Sequence, residues 1–109
     1  MSKIKVEEST GNVYADLGFP DAEEMLVKAQ LAMNIGKIIK RRKLTQKEAA
    51  KVMGLTQAKV SDMLRGRFRG ISEAKMLDCL TALGNDVEIR VKPIRRRKAA
   101  GKINVVYAA

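Results

Sequence analysis

Two short stretches of the sequence begin with the same dipeptide, Thr45-Gln46 and Thr56-Gln57. Threonine is a preferred N-cap residue, because its hydroxyl accepts a hydrogen bond from a backbone N–H group of the first helical turn. Each glutamine would then be the first residue of a helix. A glutamine amide can pair with the edge of an adenine base when a helix N-terminus enters the major groove of DNA. The repeated dipeptide therefore predicts two helices whose first side chains contact DNA.

The sequence offers few residues for catalysis or metal binding. It contains no histidine, which removes His-based acid/base catalysis, Ser-His triads and His-ligated metals together. Its one cysteine, Cys79, can form neither an internal disulfide nor a thiolate zinc site, and it fits a reducing compartment. A nuclease or phosphodiesterase would need a carboxylate cluster or a histidine. We therefore expect a protein that is not an enzyme and that needs no cofactor or metal.

The charge is strongly positive and unevenly distributed along the chain. The 109 residues carry a net charge of +10, with a pI near 10.1. Residues 1–27 contain two lysines and six carboxylates, so the excess of positive charge lies in residues 28–109. A basic region favours polyanion binding, because neutralised phosphates release condensed counterions. Ribosomal, nucleoid and membrane-surface proteins share this property, so charge alone does not specify DNA.

Membrane and export signals are missing from the sequence. No apolar run approaches the roughly 18 residues that a membrane helix needs. The N-terminal stretch MSKIKVEEST lacks the apolar core of a signal peptide. We therefore expect a cytoplasmic protein with no membrane partner.

Helix signals indicate one compact domain. The length suits a single core, and we expect a helical DNA-binding domain over residues 13–85, preceded by a flexible arm at residues 1–12. Its first helix is predicted to be long, over residues 22–42, and Asp21 with Glu24 matches the capping-box pattern. Threonine or serine caps and glycine stops delimit three shorter helices, over residues 46–53, 57–65 and 73–83.

The two middle helices have the composition of a helix-turn-helix. Helices in this motif cross steeply, so the crossing point needs small residues, and Ala49 and Ala50 are there. The turn needs a residue that tolerates positive φ, which Gly54 supplies. The apolar residues on the inward sides are Ala49, Met53, Leu55, Val60 and Met63. The alternative, two helices that merely pack in a helical core, does not account for the basic outward face.

After the last helix the apolar pattern changes to a period of two. Val87, Ile89 and Val91 alternate with charged residues, which predicts a half-buried β-strand at residues 86–92. A single strand cannot satisfy its own backbone groups. The simplest partner is the same strand of a second chain, so we expect a dimerising strand. The remaining residues, 93–109, form a basic tail that is either disordered or adds a strand.

The stretch TQKEAAKVMGLTQAKVSDMLRGR resembles the helix-turn-helix of the Cro/lambda-repressor (Xre) family of DNA-binding regulators. The resemblance implies that Gln46 grips the DNA backbone and that Gln57 reads a base edge. It implies a mainly α fold, a lambda-repressor-like helix-turn-helix bundle. The alternating segment at residues 86–92 is expected to add a short C-terminal β-strand paired across a homodimer. Two recognition helices about 34 Å apart would read a pseudo-palindromic operator in double-stranded DNA.

Ten residues are expected to contact DNA in this arrangement. Ala58 is small enough to approach a thymine methyl group, while Lys59 and Arg65 are suited to phosphate or base. The full set comprises Gln46, Thr56, Gln57, Ala58, Lys59, Ser61, Arg65, Arg67, Arg42 and Lys43. The residues expected at the dimer interface are Val87, Ile89 and Val91.

A narrower resemblance covers roughly residues 12–93. The segments NVYADLGFPDAEEMLVKAQLA and DVEIRV, placed on either side of the helix-turn-helix, resemble small Xre-type antitoxins of HigA-like toxin-antitoxin modules. This resemblance implies that the protein represses its own operon and binds a RelE-like toxin. The acidic N-terminal region is then the candidate docking site for a basic toxin. A stand-alone Xre regulator and a protein-interaction module without DNA affinity remain the alternatives.

Overall fold

Five helices make up the regular structure in the computed structural model, which describes residues 12–94 and 100–108. In chain order they are α1 (Val13–Asp16), α2 (Ala22–Arg41), α3 (Gln46–Met53), α4 (Gln57–Leu64) and α5 (Glu73–Ala82). Helix α2 packs against α1, α4 and α5, while α3 packs against α4 and α5. The four predicted helices are confirmed, each to within one residue at its ends.

The first described residue, Asn12, belonged to the predicted flexible arm, whose residues 1–11 lie outside the described residues. Asn12 is buried, and its Oδ1 accepts hydrogen bonds from the N–H groups of Tyr14 at 3.0 Å and Ala15 at 3.2 Å. Its Nδ2 donates to the carbonyl oxygen of Ala22 at 3.0 Å. Asn12 therefore caps α1 and ties it to the start of α2.

Helix α2 supplies the centre of the core. Its apolar residues recur with the period of an amphipathic helix, and Leu31, Ile35 and Ile38 are almost fully buried. The capping box predicted at the start of α2 is wrong. Asp21 occupies the N-cap position, but its side chain forms no cap hydrogen bond and pairs instead with Arg69. The Asp21 carboxylate, which the local pattern predicted to cap α2, thus forms a tertiary ion pair instead.

The end of α2 differs from the other helix ends. A glycine with positive φ follows each of α1, α3, α4 and α5: Gly18, Gly54, Gly66 and Gly84. At the end of α2 the left-handed residue is Lys43, with a φ of 57°. Its N–H donates to the carbonyl of Lys40, and the Leu44 N–H donates to that of Ile39, each at 3.0 Å, which completes a Schellman motif. A left-handed conformation costs a non-glycine residue about 1–2 kcal/mol.

The strand predicted at residues 86–92 is wrong. Residues 86–94 have no regular secondary structure, and the described part of the chain contains no strand at all. Ile89 is 75% exposed and Val91 is 90% exposed. A strand exists only when its backbone groups pair with a neighbouring strand, and residues 12–94 and 100–108 provide none. The fold is therefore all-helical in its regular elements, without the C-terminal β-strand expected from the alternating pattern.

The last described segment, residues 100–108, runs against α2 without forming a strand. The Val105 N–H donates to Oε1 of Gln30 at 3.1 Å. The ring of Tyr107 lies 5.7 Å from Nζ of Lys37 and 5.7 Å from Cζ of Arg41, two cation–π contacts. The part of the basic tail at residues 95–99 lies outside the described residues. The described C-terminal residues thus cover part of the outer face of α2.

Candidate nucleic-acid interface

The N-termini of α3 and α4 are fixed by threonine caps. Thr45 Oγ1 accepts from the Glu48 N–H at 3.0 Å, and the Thr45 N–H donates to Glu48 Oε1 at 2.8 Å, a complete capping box. Thr56 Oγ1 accepts from the N–H three residues later at 3.1 Å. Both predicted caps are confirmed. Gln46 and Gln57 are consequently the first residues of two well-defined helices.

The turn between α3 and α4 has the predicted geometry. Gly54 has φ 70° and ψ 32°, a left-handed conformation that strains any side-chain-bearing residue. The N–H groups of Gly54 and Leu55 both donate to the carbonyl of Ala50, which closes α3 tightly. Five of the residues around this turn are buried, while Leu55 is half-buried; the buried ones are Ala49, Ala50, Met53, Val60 and Met63. The two helices therefore pack as the motif requires.

The predicted contact residues lie on the solvent side of this pair of helices. Val60 and Met63 point into the core, so the opposite face of α4, which contains Ala58, faces solvent. Gln57 is exposed at the N-terminus of α4, and Gln46 is exposed at that of α3. Of the ten predicted residues, Ser61 is half-buried and nine are exposed: Gln46, Thr56, Gln57, Ala58, Lys59, Arg65, Arg67, Arg42 and Lys43.

The cations of the motif form no ion pairs among the described residues. The three ion pairs among residues 12–94 and 100–108 are Lys28–Glu24, Arg69–Asp21 and Arg90–Glu88, and none involves α3 or α4. The exposed cations left without an ion-pair partner on these helices and just after them are Lys47, Lys51, Lys59, Arg65 and Arg67. Lys47 and Lys51 were not among the predicted contacts, although their i,i+4 spacing places them side by side on α3.

Arg42 and Lys43, at the end of α2, have different environments. Nη1 of Arg42 donates to the carbonyl of Leu83 at 2.9 Å, so this side chain ties the end of α2 to the end of α5. Its guanidinium keeps further N–H donors, because arginine has five. The Lys43 side chain has no hydrogen bond or ion pair within the described residues and stands on a strained backbone. Of the two, Lys43 is the cation more available to a phosphate.

A basic loop, residues 65–70 with the sequence RGRFRG, follows α4. Phe68 anchors it in the core, being only 2% exposed. The Arg67 N–H donates to the carbonyl of Asp62 at 2.8 Å, which fixes the start of the loop to α4. Arg69, in contrast, is paired with Asp21 of the N-terminal region. The sequence pattern identified the loop as basic but gave no sign of which arginine is held and which ones are free.

Other chemistry has little support in the described residues. They contain no group of three or more His, Cys, Asp or Glu side chains that could hold a metal ion. Cys79 is buried, and burial raises the pKa of its thiol, which makes it a packing residue rather than a nucleophile. No helix in this part of the chain is long and apolar enough to cross a membrane.

Comparisons with known proteins agree with this geometry. A family model described as a helix-turn-helix domain matches residues 13–92. One solved structure, named "Putative XRE Family Transcriptional Regulator", is 39% identical in sequence. The match covers 82% of this chain and 100% of that one, with a TM-score of 0.75. No curated protein matches the chain. The family match ends before the C-terminal segment that covers α2.

Proposed function

The chain belongs to the XRE-type helix-turn-helix family of DNA-binding transcription regulators, and we propose that α4 reads a specific operator through which the protein represses its own operon. The observation that carries this proposal is the placement of Gln57. Its side chain is exposed at the first position of a helix whose opposite face, at Val60 and Met63, is locked in the core. A rigid helix with a free amide at its N-terminus suits base reading in the major groove.

The cations around α4 support a backbone-binding role beside this base contact. Lys59, Arg65 and Arg67 follow Gln57 along the chain and are exposed without ion-pair partners among the described residues. Cations of this kind fix register and orientation on a duplex, whereas base-edge contacts give the sequence preference. We assign Gln57 and Ala58 to base contact and the three cations to phosphate. Gln46, at the start of α3, is assigned to the DNA backbone.

A second copy of the chain would supply the second half-site of a pseudo-palindromic operator. Val87, Ile89 and Val91 form an exposed apolar row in residues 86–94. Burying this row through side-chain contacts would remove apolar surface from water in both copies. We therefore propose that these three residues contribute to a homodimer interface. None of the residues assigned to DNA contact lies within residues 86–94.

Toxin binding is the second part of the proposal, and the N-terminal region carries it. Val13 and Leu17 are exposed apolar residues on and next to α1, and Glu23 and Glu24 are exposed in the first turn of α2. Exposed apolar residues and exposed carboxylates in one region of the chain suit a basic protein partner such as a RelE-like toxin. A stand-alone regulator would lack this partner. Co-purification with a small basic protein separates the two. If a chain beginning at Pro20 still neutralises the toxin, docking does not need Val13 and Leu17.

The test is a titration of the protein against its own upstream DNA at two salt concentrations. If the protein makes six to ten phosphate contacts, raising the salt concentration from 50 to 200 mM should weaken its affinity for DNA by a factor of about 10³–10⁵. Gln57→Ala should cost roughly 1–3 kcal/mol and relax sequence preference, because it removes a base contact. Replacing Lys43 with a neutral residue should weaken binding to all DNA sequences alike, and this variant is the matched control. Wild-type protein without salt-sensitive DNA binding would instead favour a protein-interaction module.

A further inference from the structure

We propose that Asp21 and Lys28 clamp the basic loop, residues 65–70, in the position from which Arg65 and Arg67 bind phosphate. Both clamp residues belong to the N-terminal part of the domain, and both act through Arg69. They are positioning residues, since neither belongs to the surface formed by α3 and α4. The inference rests on the proposed DNA-binding function and adds a part of the chain that the helix-turn-helix motif does not include.

Lys28 is the first half of the clamp. It is only 3% exposed, which is rare for a lysine unless its ammonium group is paired. Its Nζ donates to the carbonyl oxygen of Arg69 at 3.1 Å and lies 3.2 Å from Oε2 of Glu24. A buried ammonium group depends on such acceptors, because leaving water is costly for a charge. Lys28 therefore holds the backbone of the basic loop to α2 across 41 positions of sequence.

Asp21 is the second half of the clamp. One oxygen of its carboxylate pairs with the Arg69 guanidinium, and the other oxygen is buried without a hydrogen-bond partner within the described residues. The Arg69 guanidinium also lies over the ring of Phe19, 5.4 Å from its centroid. Arg69 is thus held through both its side chain and its backbone. All three arginines of the loop are exposed, and the Arg69 side chain is 56% exposed, but Arg65 and Arg67 form no ion pair among the described residues.

The clamp adds a second restraint to a loop that the buried Phe68 already anchors in the core. Gly66 and Gly70 are two of its six residues, and glycine has the largest conformational freedom. A shallow surface depression lies between part of the loop and α2, with Met25, Arg67 and Arg69 among its lining residues. Ordering a loop during binding reduces affinity, whereas a preorganised loop avoids that loss. Arg67 is fixed on its N-terminal side by the bond from its N–H to the Asp62 carbonyl and on its C-terminal side by the buried Phe68, and the clamp at Arg69 secures the rest of the loop.

Asp21→Asn gives a test in which two explanations predict opposite signs. The substitution keeps the side-chain shape and raises the net charge from the +10 of the wild type by one unit. General electrostatic attraction therefore predicts tighter DNA binding. The clamp predicts weaker binding by up to about tenfold, together with a lower salt dependence, because one or two phosphate contacts become disordered. Asp78→Asn is the matched control, since Asp78 is an exposed carboxylate on α5.

Lys28→Met is the second variant, and it removes the bond to the Arg69 carbonyl. Lys102→Met loses the same charge from an exposed position in the C-terminal segment and serves as its control. Both clamp variants are repeated in an Arg67→Ala background. If the clamp acts through the loop, its effect on affinity shrinks there, because Arg67 is already lost. Thermal unfolding of each variant shows that it is folded at the temperature of the DNA titration.

The outcomes separate the inference from the proposed function. The clamp is supported if Asp21→Asn and Lys28→Met bind DNA more weakly than their controls and if this loss of affinity is smaller in the Arg67→Ala background. Asp21→Asn binding as tightly as Asp78→Asn overturns it, and so does a loss that persists unchanged without Arg67. A wild-type protein that binds no DNA would refute the proposed function itself. Normal wild-type binding with unaffected clamp variants would refute the clamp alone.

Discussion

The helix-turn-helix and the C-terminal residues respond differently to the same kind of sequence signal. In α3 and α4, apolar residues at helical spacing become buried side chains, and each predicted threonine cap forms its hydrogen bond. In residues 86–92, an equally regular alternation leads to no regular structure, and Ile89 and Val91 stay in solvent. Both patterns are clear in the sequence, but only one of them specifies structure within the single chain.

The difference lies in where the backbone hydrogen bonds are made. A helix pairs its N–H and C=O groups within its own segment, so caps and a turn residue close to it are enough to define its ends. A strand must pair with another strand, which is remote in sequence or belongs to another molecule. Thr45 and Gly54 therefore define the two ends of α3 without a contact from a remote part of the chain. The alternation at residues 86–92 lacks such a local partner.

The largest expected effect contrasts one buried residue with one exposed residue. Met63 is 1% exposed and Ile89 is 75% exposed. Met63→Ala should lower the free energy of unfolding by about 2–5 kcal/mol, because it leaves a cavity beneath α4. Ile89→Ala should change it by less than about 0.5 kcal/mol. Urea denaturation at low protein concentration measures both values.

Protein concentration sharpens this contrast. If Ile89 lies in a homodimer interface, Ile89→Ala should destabilise the protein only when the chain is concentrated enough to associate. Val52, an exposed residue of α3, supplies the matched control Val52→Ala. A large, concentration-independent loss with Ile89→Ala would contradict the exposed position of the side chain within one chain.

Cap removal is expected to have an intermediate effect. Thr45→Ala removes the hydroxyl that accepts from Glu48 and disrupts the capping box, and Thr56→Ala removes the simpler cap of α4. Each should cost about 0.5–2 kcal/mol in the free energy of unfolding, with Thr45 the more costly of the two. Thr81, within α5, provides a non-cap control. Equal stability of all three alanine variants would show that the caps contribute nothing.

A smaller effect than that of cap removal is expected at Lys43. Replacing this left-handed residue with glycine relieves strain but increases the freedom of the unfolded chain, so Lys43→Gly should stabilise the fold by only about 0.5–1 kcal/mol. The same variant should bind DNA more weakly, because the exposed cation is lost. Lys40→Gln, one turn earlier on α2, controls for the change in charge. A destabilised Lys43→Gly protein would show that the lysine side chain contributes a packing contact.

Much of the fold followed from local patterns, whereas tertiary pairings did not. The caps, the turn glycine and the helical apolar spacing located four helices to within a residue. Asp21 was not predictable from local patterns, because its carboxylate pairs with Arg69, 48 positions away, instead of capping α2. The same contact distinguishes Arg69 from Arg67, two residues of identical type in one loop. The sequence contains no local signal for either outcome.

The exposure of the candidate contact residues was predictable for a related reason. Once Val60 and Met63 are assigned to the core, the helical period fixes which residues of α4 face outward. The side chain of Arg42 was not predictable in this way, since its bond to the Leu83 carbonyl depends on how α5 returns to α2. Whether a cation is already bonded within the protein thus depends on tertiary packing, even where its exposure follows from the local helical period.

The contact between Val105 and Gln30 has a consequence for the order of folding. It joins residues 75 positions apart, farther than the 41 positions between Lys28 and Arg69 or between Arg42 and Leu83. Closing a longer loop costs more chain entropy, although the cost rises only slowly with length. We expect the helices to assemble first and the C-terminal segment to settle onto α2 last. During refolding, the Tyr107 ring should therefore report a step that follows helix formation.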